Sequence, residues 1–247
     1  MKLLFRPKSP TGTTFYCFTP LVSFFTFIIE FSFALYVLVK YKPTQFSKLC
    51  VLVLLCLGLF QLSEFLICVS PYIDLSIKLG YIAITLLPAF GLHIICTLTQ
   101  RWKILAYTSY ACVALLSMAI LFIPQVAILS TCNPSYVSYE VNPTFSFLHW
   151  LYYVVTMAIG IMLLTYAILK HIGDRKQEKW MIISYFVFII PSLILFYANV
   201  IAHTALPSVM CGFAILTAII FVFIIIPRHY YLKSKLKKAK KNNRRHK

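Results

Sequence analysis

Seven stretches of 20 or more residues, each almost continuously apolar, follow one another along the 247-residue chain, and no other feature limits its fold as strongly. Crossing about 30 Å of hydrocarbon takes roughly 20 helical residues. Runs near residues 15–39, 46–69, 75–98, 104–123, 145–169, 180–202 and 206–226 meet that length. A membrane barrel strand would alternate apolar and polar residues over about ten positions. These runs do not alternate, so the expected class is all-α, a polytopic bundle of seven transmembrane helices. With 61% apolar and only 12% charged residues, about half the charged fraction of a soluble domain, a soluble globule is excluded. The expected organisation is a short tail at 1–14, a membrane domain at 15–226 and a basic tail at 227–247.

Charge sets the expected orientation. Ten of the 21 residues at 227–247 are Lys or Arg and none is acidic. Lys40, Lys42 and Lys48, then Arg101 and Lys103, then four basic residues within 170–179, fall between spans on the same side as that tail, so the side collects 19 of the 23 Lys and Arg. The other side has Lys2, Arg6, Lys8 and Lys78. Lys and Arg accumulate in cytoplasmic loops, which places the tail in the cytoplasm and the amino terminus outside, in a multi-pass protein of the cell membrane. The first run is too long for a signal-peptide core and lacks a clear small-residue cleavage site, so it reads as a retained helix. An even number of spans would put both ends on one side and would require discarding a run. Trp102, Trp150 and Trp180 fall at span ends, where amphipathic rings prefer the interface. The formal charge of +17 is thus a matter of topology, and no nucleic acid is expected as partner. Lys233, Lys235, Lys237, Lys238, Lys240, Lys241, Arg244 and Arg245 are candidates for contact with anionic lipid, at about 1 kcal/mol per basic residue near such a leaflet, or with a protein partner.

The eight cysteines form no CxxC pair and no His/Cys spacing suited to zinc. No metal or other cofactor is expected. Cys50, Cys56, Cys96 and Cys112 lie within spans and read as small packing residues. Cys68 and Cys132 both map to the outer side, where they are candidates for a disulfide.

Polar residues inside the runs are the next signal, because an unpaired charge at mid-membrane costs about 2.5–3.5 kcal/mol even on the lenient insertion scale. Glu30 of the first run and His93 of the third fall at similar depth. Either they form a hydrogen-bonded pair, or Glu30 is protonated and bonded to a nearby hydroxyl. Nearer the outer surface come Gln61 and Glu64, three apart on one face, then Tyr81, His149, Tyr152, and Asn199 and His203, four apart on another face. They are candidates to line an outward-facing ligand pocket of apolar and aromatic walls with a few convergent polar groups. The alternative is interhelical bonding that holds the bundle together, at about 0.6 kcal/mol per contact. Pro88 and Pro191 are candidate hinges, since a proline inside a helix removes a backbone donor.

Several functions are excluded. The seventh run has no Lys for a retinal Schiff base, and the third ends Thr99, Gln100, Arg101, Trp102 without an acidic residue before the Arg. The chain shows no HExxH, GxSxG or phosphate-binding glycine loop. With short outer loops, no catalytic residue is expected and the chain is not read as an enzyme. No paired, Gly/Pro-broken halves indicate an inverted-repeat transporter.

The second and third runs read Glu64, a short turn, Lys78-Leu79-Gly80-Tyr81, Leu87-Pro88, His93 and Thr97-Leu98-Thr99. Further on come Thr131-Cys132-Asn133-Pro134, Phe147-Leu148-His149-Trp150-Leu151-Tyr152, Arg175 and Gln177, Pro191 and Asn199, then Leu206-Pro207. In order and spacing this resembles the seven-transmembrane amino-terminal sensor region of bacterial and archaeal histidine kinases. The sequence departs from that family in having Gln100 where a Gly is common, and Cys132 interrupting the Thr-Asn pair. The resemblance implies a prokaryotic sensory membrane domain, here without a kinase. The expectation is a receptor-like module that binds a small or lipophilic ligand in its outer half and signals in trans to a separate cytoplasmic partner, with a homodimer also open. The alternatives are a small transporter component using Glu30, Glu64 and His93, and a non-catalytic assembly protein.

Overall fold

The computed structural model describes residues 20–123, 126–132, 137–198 and 206–245, and within these all side chains except those at 127–132, 188, 206–207 and 236–245. Helices α1 (Pro20–Lys40), α2 (Gln45–Val69), α3 (Ile73–Thr99) and α4 (Lys103–Phe122) are followed by strands β1 (Ala127–Cys132) and β2 (Val137–Val141). Then come α5 (Pro143–Lys170), α6 (Arg175–Tyr197) and α7 (Leu206–Ile220), a π-helical turn at Phe221–Ile225, and α8 (Ile226–Arg245). Seven helices are long and apolar enough to cross a membrane, the seventh being the continuous stretch Ser208–Lys235. The chain is therefore a multi-pass membrane protein by length and composition. The sixth helix starts at Arg175, five residues before the expected span, because Asp174 caps it by accepting from the Gln177 N–H at 3.0 Å.

Local chemistry explains the other helix starts. Thr44 and Ser47 form a reciprocal capping box at α2. Asn142 Oδ1 accepts from the Thr144 N–H at 3.0 Å, with Pro143 in the first turn of α5. Between α3 and α4 the chain reverses through Gln100 and Trp102, both left-handed, with φ of 55° and 56°.

The expected all-α class needs one amendment. The segment read as a plain outer loop contains an antiparallel hairpin, with Ser130 opposite Tyr139 and Cys132 opposite Val137. A sequence scan tuned to spans of about 20 residues passes over strands of six and five residues. The basic tail is likewise not a loose end: its backbone continues the seventh helix as α8.

The hairpin, the α2–α3 turn and the start of α1 lie at one end of the bundle, called here the hairpin end. The α1–α2, α3–α4 and α5–α6 turns and α8 lie at the other, the tail end. Helix α2 stands between α1 and α3 and also touches α7, while α3 packs on α4 and α5, and α6 on α5 and α7. Phe46, Leu54, Phe60, Ile94, Ile95, Leu164, Met181 and Ile225 are wholly buried. Large apolar side chains such as Leu21, Leu115 and Met162 point outward. In water that surface would be a severe liability; in hydrocarbon it is the solvent-facing surface.

Candidate ligand-binding site

At the hairpin end, polar side chains from six elements converge. Glu64 is buried and accepts long hydrogen bonds from Ser23 of α1 at 3.4 Å and Tyr139 of β2 at 3.5 Å. Ser208 of α7 also bonds it and accepts from the Val137 N–H at 3.4 Å. Tyr139 stands edge-on to Tyr81 at 5.4 Å, and Tyr81 to His149 at 5.8 Å. His149 bonds the Thr85 hydroxyl at 3.0 Å, and the Tyr152 hydroxyl donates to the Thr85 carbonyl at 3.1 Å. Thr85 lies three residues before Pro88, whose missing N–H leaves the Ile84 carbonyl without its helical donor. Burial pushes the Tyr139 phenol well above its ordinary range, with Glu64 adding to the effect, so its hydroxyl remains a donor.

Four of the expected ligand-site residues, Glu64, Tyr81, His149 and Tyr152, thus belong to one connected network. Gln61 is buried one turn deeper, and its Nε2 has no hydrogen-bond partner. Asn199 and His203 lie outside the described residues. Two connecting residues escaped the sequence reading. Tyr139 sits in the hairpin that was not foreseen, and Thr85 is a small hydroxyl among many in the spans. Its position one turn beyond Tyr81, on the same face, was the available signal.

The Glu30–His93 pair is not formed. Glu30 is at mid-length of α1, fully buried, and neither carboxyl oxygen has a hydrogen-bond partner. His93 instead contacts Gln45 Nε2 at 3.0 Å and the Tyr110 hydroxyl at 2.9 Å. The reason is lateral: α2 stands between α1 and α3, and the His93 side of α3 turns to α4. The alternative reading, a neighbouring hydroxyl bonded to Glu30, is not made either. Residues matched in depth along their own helices need not share a face.

Toward the centre of the bundle, next to this network, lies an apolar cavity of about 60 Å³. Leu57 of α2, Pro88 of α3, Tyr153 of α5, Tyr185 of α6 and Cys211 and Ala214 of α7 are among its walls. A water-sized group needs about 10–15 Å³ on this measure, so the space suits a ligand of a few heavy atoms or the tip of a longer chain. Its place is mid-bundle rather than the outer half. Gly91 and Gly160 make room for the Tyr185 side chain: a Cβ on Gly91 would lie 2.6 Å from the Tyr185 hydroxyl, so a larger residue there would push that ring aside. Of the candidate hinges, Pro88 borders the cavity and Pro191 does not.

Phe221, the first residue of the π-turn, is also part of the wall. Pro227 explains the turn, because its ring clashes with the carbonyl four residues earlier and widens the helix before it. The Gln177 side chain donates to the Ile225 carbonyl at 3.4 Å. Immediately beyond, Arg228 forms an ion pair with Asp174, one of its contacts being 2.7 Å. That pairing holds the Asp174 carboxyl below the usual carboxylate range. Tyr230 donates to the Lys42 carbonyl, and His229 stacks on Phe46 at 4.2 Å. The cavity wall is therefore continuous with a latch joining the start of α8 to α6 and to the α1–α2 turn. Lys233 and Lys235 follow on α8, while the side chains of Lys237, Lys238, Lys240, Lys241, Arg244 and Arg245 lie outside those described.

Cys68 is disulfide-bonded at the hairpin end of α2, and its partner falls outside the described side chains, as does Cys132. No cluster of three or more metal-ligating side chains occurs among the described residues. Compared with known proteins, the chain matches no family model and no curated protein.

Proposed function

We propose that the chain is a receptor-like module of the cytoplasmic membrane, with its hairpin end outside and its tail end in the cytoplasm. A small lipophilic ligand enters the mid-bundle cavity, and its occupancy is reported through α7 and α8 to a separate cytoplasmic partner. The observation that carries this reading is the cavity itself: largely apolar walls from five helices, with Ser184 and Thr217 among the few polar residues lining it, and a π-turn in its wall. Pockets of mixed apolar walls and few polar groups are the usual form of a small-molecule site, and π-turns are frequent at functional positions. The motif order that resembles histidine-kinase sensor regions supports the same reading, and no catalytic step belongs to it.

Two independent features support the orientation. Among the described residues, 18 of the 23 Lys and Arg lie in or beside the turns of the tail end or in α8, in keeping with the cytoplasmic bias of basic loops. The hairpin end has the bonded Cys68, and disulfides persist in oxidising compartments. The basic composition of α8 suits anionic lipid headgroups at the inner leaflet.

A ligand shifts a two-state equilibrium only if it binds the two states differently, and in this reading the Asp174–Arg228 latch is the contact that ligand entry makes or breaks. The test is thermal unfolding of the detergent-solubilised full chain with alcohols and fatty acids of graded chain length. Stabilisation that depends on chain length and disappears in Ala214→Phe is expected. Equal stabilisation of wild type and Ala214→Phe, or none by any member of the series, overturns the proposal.

A further inference from the structure

A second cavity lies at the tail end, polar where the mid-bundle one is apolar, with a volume of about 50 Å³. The reversal through Gln100 and Trp102 sets the last turns of α3 beside the first turn of α4. Cys96 and Ala106, both buried, form its floor, and the half-buried His93 and Thr97 part of its wall. The Cys96 thiol donates to the Trp102 carbonyl at 3.3 Å, which ties the turn to that floor. The remaining lining residues are exposed and stand at the mouth, with Gln45 coming from α2 and Lys103 from α4.

The groups around this space are chiefly donors. An amide nitrogen only donates, so Gln45 directs one N–H to His93 Nε2 at 3.0 Å and has a second to offer. Gln100 donates one N–H to the Thr97 carbonyl at 2.6 Å and likewise has another. Thr97 and Tyr107 add hydroxyls, and Lys103 adds an ammonium group. Among the described residues no carboxylate lines the space. A full positive charge among donors suits an oxyanion, whose oxygens only accept. Because the donors come from α2, α3 and α4, they converge from separate directions, as the several oxygens of a phosphate require. A water-sized group needs about 10–15 Å³ on this measure, so the space admits a group of that size. His93 is six residues from the end of α3 at Thr99, about 9 Å of helix, and Trp102 beside the mouth is a residue of the membrane interface. Basic pockets between helices at this level are where lipid headgroups bind.

We infer that this cavity binds a phosphate group, borne by an anionic lipid of the adjoining leaflet or by free phosphate. Lys103 pairs with its charge, and the Gln45 and Gln100 amides bond its oxygens. The site is separate from the mid-bundle cavity and does not depend on that cavity being a receptor site.

The test is thermal unfolding of the full chain in a neutral detergent, titrated with inorganic phosphate, with dioctanoyl phosphatidic acid, and with sodium chloride at matched ionic strength. Saturable stabilisation by a phosphate-bearing probe, beyond that of chloride, is expected. Its half-saturating concentration should rise about tenfold or more in Lys103→Gln, which removes a charge-assisted bond. Gln100→Glu, which puts a negative charge at the mouth, should weaken it in the same direction. Both residues are exposed, and each variant serves if the other does not fold. Replacing Lys233 and Lys235 of α8 by Gln should leave the half-saturating concentration unchanged. Saturation by phosphatidic acid alone assigns the phosphate to a lipid headgroup, and saturation by inorganic phosphate, with or without the lipid, assigns it to the free anion. Saturation by neither probe, a response that both cavity variants leave unchanged, or one that the α8 variant abolishes overturns the site.

Discussion

The hairpin half and the middle of the bundle treat buried polarity in opposite ways. Near the hairpin, Glu64, Tyr139, Thr85, His149 and Tyr152 are linked across α1, α2, α3, α5, α7 and β2. One helical turn or two further in, neither Glu30 oxygen nor the Gln61 amide nitrogen has a hydrogen-bond partner. A satisfied network fixes the arrangement of helices, whereas a buried carboxyl without partners costs free energy at mid-membrane and ties no helix to another.

Removing Glu64 should have the largest effect. Glu64→Ala leaves three hydroxyls facing no acceptor, and a loss of about 3 kcal/mol is expected, read as a fall in thermal midpoint of the full chain in detergent. Glu30→Leu, in contrast, removes a polar group without partners and should be neutral or stabilising by about 1 kcal/mol. If both variants fell equally, the contrast between the two regions would be broken.

The latch at the tail end is expected to come next. Asp174→Ala removes a helix cap and one side of an ion pair, costing about 1–2 kcal/mol. The pair also has a pH signature. Arg228 depresses the Asp174 carboxyl in the folded protein, so its stabilisation is complete above the ordinary carboxylate range and is lost as pH falls through the lower, folded-state value. Asp174→Asn should lack that acid-side component of the stability profile, and unfolding measured as a function of pH reads it directly.

Smaller effects sharpen the comparison. A double-mutant cycle of Thr85→Val and His149→Leu should give a coupling near 0.6 kcal/mol, the usual worth of an interhelical hydrogen bond in a membrane. A coupling near zero would mean that the network is contact without energy. Gln100→Gly is expected to stabilise by about 0.5–1 kcal/mol, because a left-handed residue at the end of α3 is strained with a side chain and free of strain as glycine.

Much of this was legible in the sequence, for physical reasons. Hydrocarbon demands long apolar helices, so seven of them could be counted; the start of α6 follows a cap at Asp174 and the seventh stretch runs on to Lys235, neither of which hydropathy marks. The site was legible in part. Glu64, Tyr81, His149 and Tyr152 could be grouped because depth along a helix follows from residue number. Which helix stands beside which does not, and this is why Glu30 and His93 could be matched in depth yet face different neighbours. The Tyr139 hairpin was hidden by its shortness, and the cavity by the absence of any single residue that marks it. Gln100 was visible as a departure from the resembled family's glycine, and its left-handed backbone gives that departure a meaning.

Photolabelling tests the central claim most directly. A diazirine-bearing short-chain lipophile, irradiated with the full chain in nanodiscs, should label residues of the cavity wall, such as Met157, Tyr185 and Met210, and an excess of the unlabelled parent compound should abolish that labelling. Labelling confined to outward-facing residues such as Leu21, Leu115 and Met162, with no competition, would contradict the account.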